Sequence, residues 1–215
     1  MSVGGGLAYG ALGASHHATE DIAVMRALPG MTVVAPGDPV EAEMATRALM
    51  ARTGPAYLRL GRSGEPVVHS RGVNFQIGKA IRVTDGDDVT LIATGTMLHA
   101  TTQAASQLAR DGIAARVLSM HTIKPLDAEA VFEAARETRA IITVEEHSII
   151  GGLGGAVAEV LAEFADCHVR FKRMGLPSAF TAVGSREFLT KSYSLSVEGI
   201  VESATQILEL APSRA

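Results

Sequence analysis

Ala18, Ile22, Met25 and Leu28 recur at helical spacing, and that spacing predicts a helix over 18–28. Thr19, Glu20 and Asp21 put capping groups and negative charge in its first turn, where they complement the helix dipole. Pro29-Gly30 stops it. Residues 31–35 are then a short β-branched apolar run, the mark of a buried strand. Asp38-Pro39-Val40-Glu41 reads as a capping-box-like start with proline at the first helical position. The helix it opens carries Val40, Ala42, Met44, Ala45, Ala48 and Leu49 before Gly54-Pro55 ends it, and residues 56–60 form the next strand. Residues 1–14 are rich in glycine and alanine, show no period and read as a loop.

Residues 61–75 are polar and broken by glycines, so the chain divides there into a unit over 1–65 and a second over 74–215. Beyond that point the pattern becomes regular. Runs at 79–84 and 89–93 flank Asp85-Gly86-Asp87-Asp88, a turn sequence that predicts a hairpin and with it an antiparallel edge strand. Helix 97–110, strand 114–119, helix 127–137, strand 140–145, helix 152–164 and strand 168–173 follow, then helical segments at 185–190 and 196–210. Strands alternating with helices predict an α/β fold whose mostly parallel five-stranded sheet is covered by helices on both faces.

Composition removes several classes of function. With 47% hydrophobic residues in 215, the chain has ample material for a core. No apolar run approaches the roughly 18 residues a membrane span needs, and MSVGGGLAYG has neither the basic residues nor the apolar stretch of a signal peptide. A net charge of −4 with interspersed signs, no tryptophan and 4% aromatics argue against a nucleic-acid binder. The lone cysteine, Cys167, excludes an internal disulfide, fits a reducing cytoplasm and reads as inert and buried.

The candidate chemistry is sparse. His16 and His17 are adjacent at a helix entrance. Neighbouring histidines point in different directions, and no cysteine or third histidine lies near, so no metal site is assigned; alone they read as a surface or capping pair. Arg62 lies just past the C-terminal end of strand 56–60, where ligands gather in open α/β sheets. Arginine suits bidentate phosphate binding, with a solvated loop charge as the plain alternative. Asp85-Gly86-Asp87-Asp88 reads as a turn rather than a metal ligand set. Gly151-Gly152-Leu153-Gly154-Gly155 lacks both Gly-x-Gly-x-x-Gly spacing and a P-loop lysine, so tight helix packing is the plainer reading than a phosphate cradle. There is no Gly-x-Ser-x-Gly elbow, and Gly184-Ser185-Arg186-Glu187 looks like a helix cap, which dismisses a serine hydrolase.

The string over 15–43, SHHATEDIAVMRALPGMTVVAPGDPVEAE, resembles the pyrimidine-binding domain of transketolases. Gly10-Ala11-Leu12-Gly13-Ala14-Ser15-His16 is similar to that family's Gly-x-x-Gly-x-Thr-His, with serine for threonine. Thr122-Ile123-Lys124-Pro125 after Ser119-Met120-His121, the strand end Ala93-Thr94-Gly95, and Glu-Glu-His followed by Gly-Gly-Leu-Gly are similar to its C-terminal domain. By this resemblance residues 1–62 look like the second half of a pyrimidine-binding domain and 74–213 like a complete C-terminal domain. It implies transfer of a two-carbon ketol unit between sugar phosphates with thiamine diphosphate and Mg²⁺. It further implies that His16 contacts the donor sugar and assists proton transfer, and that Arg62 binds the sugar phosphate. Cofactor-binding residues are not assigned.

Departures from the family pattern shape the expectation. The position occupied by Leu12 is commonly an aspartate that reads sugar hydroxyls; leucine accepts no hydrogen bond, which implies a different sugar preference. The family's Gly-Asp-Gly…Asn metal motif, activating glutamate and ring-stacking aromatics have no counterpart here. The resemblance therefore implies the C-terminal subunit of a split bacterial transketolase. It would be cytoplasmic and inactive alone, would work as a homodimer or heterotetramer, and would depend on an N-terminal subunit for the diphosphate-binding domain. Two other readings stay open: the β-subunit of a 2-oxo acid dehydrogenase E1 component, and an inactive truncated product acting only in assembly.

Overall fold

The capping residues foreseen from sequence set several element boundaries. At the start of α2 (Pro39–Met50) the Asp38 carboxylate accepts from the Glu41 backbone N–H at 2.8 Å, and the Glu41 side chain accepts in return from Gly37 N–H at 2.5 Å. The first bond satisfies a donor that the helix itself leaves open, and the second ties down the residue before the cap. Ser185 Oγ accepts from Phe188 N–H at the start of α6 (Arg186–Ser192), and Ser196, not singled out from sequence, accepts from Gly199 N–H at the start of α7 (Val197–Leu210).

The computed structural model describes residues 1–70, 72–163 and 169–211; Cys167 and the first residue of the strand expected at 168–173 lie outside the described residues. The remaining elements are β1 (Ser2–Val3), α1 (Asp21–Ala27), β2 (Thr32–Val34), β3 (Ala56–Leu60), β4 (Ile81–Thr84), β5 (Val89–Ala93), α3 (Met97–Arg110), β6 (Ala115–Ser119), β7 (Thr122–Lys124), α4 (Ala128–Glu137), β8 (Ala140–Ser148), α5 (Leu153–Glu163) and β9 (Arg170–Leu176). They form a four-stranded sheet of order β1-β3-β2-β7 and a five-stranded sheet of order β4-β6-β5-β8-β9. In the larger sheet β6, β5, β8 and β9 are mutually parallel and β4 is the antiparallel edge.

Side-chain alternation divides the core of this larger sheet. Leu91, Val117 and Ile142 point to the face covered by Leu98 and Leu108 of α3 and Ile200 of α7. Their neighbours Ile92, Leu118 and Ile141 point to the face covered by Val131 of α4 and Leu153 and Val157 of α5. Both faces are thus buried, as a parallel sheet requires. Among the described residues no helix is long and apolar enough to cross a membrane.

Four expectations are corrected. The Asp85 turn does not make a hairpin: β4 pairs with β6 rather than β5, so the antiparallel edge comes from a longer connection. Residues 1–14 are not all loop, because β1 pairs in parallel with β3. The first helix starts at Asp21, since Ala18 is held in a bridge to Gly6. The strand expected at 140–145 continues to Ser148, with Glu145, Glu146 and His147 all buried. In addition, β7 lies within the Thr-Ile-Lys-Pro string and pairs antiparallel with β2, so the second unit contributes a strand to the sheet of the first.

A polar cluster ties the connecting segment to both units. Glu41, fully buried, accepts from Ser119 Oγ at 2.5 Å and pairs with His69 Nε2 at 2.7 Å. Asp38 accepts from the Val68 and His69 backbone N–H groups. Burial pulls the His69 imidazole down, but its hydrogen bond and charge attraction to Glu41 outweigh this and hold it above its ordinary value. Nearby His121, stacked on Phe75 at 4.0 Å, is pushed below its ordinary value by burial. The two signs differ. Stability from His69 is complete below the unfolded value of 6.5 and is lost as pH rises through the higher folded value. Stability from a neutral His121 is present above 6.5 and is lost as pH falls through the lower folded value. Urea denaturation should therefore show His69→Gln costing about 1–3 kcal/mol at pH 6 and less on the alkaline side. A cost that grows with pH would contradict the assignment.

Candidate functional site

Two loops leave the C-terminal ends of the adjacent parallel strands β1 and β3. The first closes on itself: Gly6 and Ala18 exchange backbone hydrogen bonds at 2.9 and 3.0 Å, so residues 7–17 form a loop with its ends joined. Short 3₁₀ turns at Gly10–Leu12 and Ala14–His16 fill it, hinged at Gly13, whose φ of 83° suits glycine. His16 is exposed at the end of the second turn, with Nδ1 3.1 Å from Ser15 Oγ. Leu12 is also exposed, at 59%.

His17, to which the sequence assigned nothing separate, is the anchored member of the pair. Its Nε2 lies 3.2 Å from the Gly10 carbonyl oxygen and its Nδ1 bonds to Thr181 Oγ1. A carbonyl only accepts, so Nε2 carries the proton facing Gly10, and the Thr181 hydroxyl serves Nδ1. Adjacent histidines do point in different directions, one outward and one into the fold.

The second loop begins at Gly61. Arg62 is on the rim of a cavity of about 370 Å³ that opens between the end of β3 and the start of α2, with Gly37, Asp38, Glu65 and Thr96 among its walls. The Arg62 guanidinium carbon sits 5.9 Å from the ring centroid of Tyr9, a cation–π approach that joins this loop to the first. Arg62 thus lies just past the strand end, as the alternation implied. His16 is not among the cavity's lining residues, so the two loops meet through Tyr9 and Arg62 rather than through His16.

Beneath the loops lies a buried charge network that the sequence did not reveal. Arg59 is 4% exposed; its Nε donates to Asp21 Oδ2 at 2.8 Å and its second amino group to the carbonyls of Ala18 and Glu146 at 2.8 and 3.1 Å. Tyr57 donates to the same Asp21 oxygen at 2.7 Å, and burial pushes its phenol up to about 12. Burial alone would raise the Asp21 carboxyl, but Arg59 outweighs it and holds the group below its ordinary value. His147 donates through Nδ1 to the Ser148 carbonyl at 2.7 Å and takes the Ala23 N–H on Nε2 at 3.4 Å, so it is buried as a neutral ring whose value burial lowers.

The described residues do not fit the Mg²⁺-bound diphosphate of a thiamine cofactor. Among the described residues no group of three or more His, Cys, Asp or Glu could hold a metal ion. In the Asp85–Asp88 turn, Asp85 pairs with Arg82 at 3.3 Å and Asp88 accepts from Ala114 N–H at 2.8 Å. The Gly-rich start of α5 is no phosphate cradle either. Its Leu153 and Gly154 N–H groups donate to the buried Glu145 carboxylate at 2.7 and 2.8 Å, and burial pushes that carboxyl up to about 7 against their pull.

Comparison with known proteins accounts for this arrangement. Residues 1–66 match the transketolase pyrimidine-binding domain and residues 78–200 the transketolase C-terminal domain. One subunit of the apulose-4-phosphate transketolase of Phocaeicola vulgatus is 42% identical over 97% of this chain and 66% of its own length. A 6-deoxy-6-sulfo-D-fructose transketolase subunit of a Clostridium species is 41% identical over 92% of this chain and 61% of its own. The chain thus spans less than two thirds of these relatives. Among solved structures, a split-gene transketolase described as an inactive β4 tetramer superposes with a TM-score of 0.86 and 38% identity, covering 98% of this chain and 66% of that one. Two family domains in the expected order, on a backbone shared with a split-gene enzyme, lead to one conclusion: the chain belongs to the transketolase family.

Proposed function

We propose that this chain is the pyrimidine-binding and C-terminal part of a split transketolase, which transfers a two-carbon ketol unit between sugar phosphates. The observation that carries the reading is the match along 97% of the chain to a protein named as one subunit of such an enzyme. Thiamine diphosphate supplies the carbanion chemistry when bound, and a partner chain with a diphosphate-binding domain holds it and its Mg²⁺. The assembly is a homodimer or a heterotetramer, and the single cysteine supports a cytoplasmic setting. His16, exposed on a closed loop, contacts the donor sugar and moves a proton at its hydroxyl. Arg62, on the cavity rim beside Tyr9, takes the sugar phosphate bidentately. The exposed Leu12 offers no acceptor to the sugar, so this enzyme reads its hydroxyls by other contacts.

The test is reconstitution with the diphosphate-binding chain encoded in the same genome, assayed for ketol transfer. His16→Ala should lower turnover by about 10²-fold or more. Arg62→Ala should raise KM for phosphorylated sugars by about 10–100-fold and leave non-phosphorylated sugars unaffected. A saturated complex without transfer activity, or an Arg62→Ala enzyme with unchanged KM, would overturn the respective assignment.

A further inference from the structure

The connection between β9 and α6 touches both loops of the candidate site. Thr181 Oγ1 bonds to His17 Nδ1, one residue from His16. Gly184 N–H donates to the Gly10 carbonyl at 3.2 Å, the same oxygen that faces His17 Nε2. Gly10 has no room for a side chain: a Cβ there would lie 2.6 Å from Leu189 Cδ1 and 2.7 Å from Gly184 O. Just past Gly184, the same stretch reaches the other loop. Arg186 holds Glu65 at 3.2 Å, at the far end of the turn that carries Arg62.

The remaining face of Arg186 is fixed from below. It bonds Glu146 through Nε at 3.0 Å and a terminal nitrogen at 2.7 Å. Glu146, 1% exposed, also accepts from Leu7 N–H at 2.6 Å, where the first loop begins, and from Thr96 Oγ1 at 2.9 Å. Thr96 in turn backs the second loop, since a Cβ on Gly61 would meet its Cγ2 at 2.5 Å. One buried carboxylate therefore sets the base of both loops, and one short segment of the C-terminal domain sets their outer ends.

We infer that the 177–186 segment of the C-terminal domain is a clamp that places both substrate-facing loops, with Thr181 acting through His17 on the His16 loop and Arg186 acting through Glu65 on the Arg62 loop. This rests on the reading of His16 and Arg62 as substrate contacts. It gives the C-terminal domain a part in the reaction although it touches no substrate: Thr181 and Arg186 are positioning residues. The pairing is also selective. A charge-assisted contact is stronger and more directional than a neutral one, so the phosphate-binding loop is the more firmly held.

Hydrogen exchange on the full chain tests the clamp without any partner. Thr181→Val should speed exchange of amides in 10–17 by about 10-fold, and Arg186→Gln should do the same in 61–66, with α3 and α7 unchanged. Arg186→Lys should restore most of the protection, and Glu65→Gln should repeat the loosening of 61–66 by removing only the outer partner, which covers a failure of Arg186→Gln to fold. Unchanged exchange in both loops overturns the clamp, as does loosening spread equally over the core. Inorganic phosphate, titrated while following the Gly61 and Gly64 amides, separates the two readings. Shifts lost in Arg62→Ala and weakened in Arg186→Gln support both; no shifts in the wild type, with loop exchange still altered, remove the phosphate role of Arg62 and leave the clamp. In the reconstituted enzyme Arg186→Gln should raise KM for phosphorylated sugars at constant turnover, and Thr181→Val should lower turnover at constant KM. Equal loss of both parameters in both variants would mean a merely structural role and would overturn the inference.

Discussion

Arg59→Met should destabilise the chain by about 3–5 kcal/mol, a range typical of breaking a buried ion pair from one side. The substitution preserves much of the side-chain volume, so little of the loss comes from a cavity. Its source is Asp21. Only Tyr57 would still donate to Oδ2, while Oδ1 is buried without a hydrogen-bond partner among the described residues even in the intact chain. Burial then has nothing of comparable strength to oppose it, and the carboxyl moves up from its present lowered value. The carbonyls of Ala18 and Glu146 lose a donor at the same time, at the foot of both site loops. The pH dependence changes as well. In the intact chain Asp21 contributes stability that is complete above its unfolded value of 3.8 and is lost as pH falls through the lower folded value; the variant should lack that acid limb. Combining Arg59→Met with Asp21→Leu should recover much of the loss, because an apolar replacement of a whole buried pair is often near neutral. Urea unfolding curves decide the matter. A single-variant loss under about 1 kcal/mol would mean that the pair is as weak as an exposed one.

What the sequence reveals and what it hides divide along a physical line. Signals that act within one turn or one strand were legible. The helix over 97–110 and the strand over 89–93 match residue for residue, and Asp38 and Ser185 cap as their positions imply. Contacts that depend on distant partners were not. The Asp85 turn has hairpin chemistry, but its two strands flank β6 instead of each other, because sheet order is decided by the packing of the whole α/β unit. The strand expected to end at 145 runs on through Glu146 and His147, and Glu145, Glu146 and His147 are all buried. The Glu146 charge is absorbed by partners far along the chain, such as Leu7 N–H, 139 residues away. The same limit applies at the site. The position of Arg62 just past a strand end was legible from the strand's own pattern. The anchoring of His17 by Thr181 was not, since nothing in either local sequence points to the other, 164 residues apart. Arg186 was visible only as a neighbour of a capping serine. A signal for it did exist: an arginine beside a helix start, where the dipole disfavours positive charge, needs a compensating acid.

Calorimetry on the isolated chain with Mg²⁺ present should give no measurable binding of thiamine diphosphate. Two phosphates must be neutralised, and Mg²⁺ takes near-octahedral oxygen ligands that include carboxylates. The described residues supply no group of three such ligands. The helix start with the right glycine-rich look already gives its Leu153 and Gly154 N–H groups to the buried Glu145, which leaves neither for a phosphate. Arg62 is a cation on the cavity rim, yet a single arginine contributes about 1.5–3 kcal/mol, short of the roughly 8 kcal/mol that micromolar affinity requires. Adding a chain that carries a diphosphate-binding domain should bring the heat of binding out at a ratio of one cofactor per pair of chains. Arg62→Ala should leave that cofactor affinity unchanged, because the residue is assigned to the sugar phosphate, and this separates its role from a cofactor contact. Micromolar binding by the chain alone would show that it holds a diphosphate site of its own, and the division of labour between two chains would have to be abandoned.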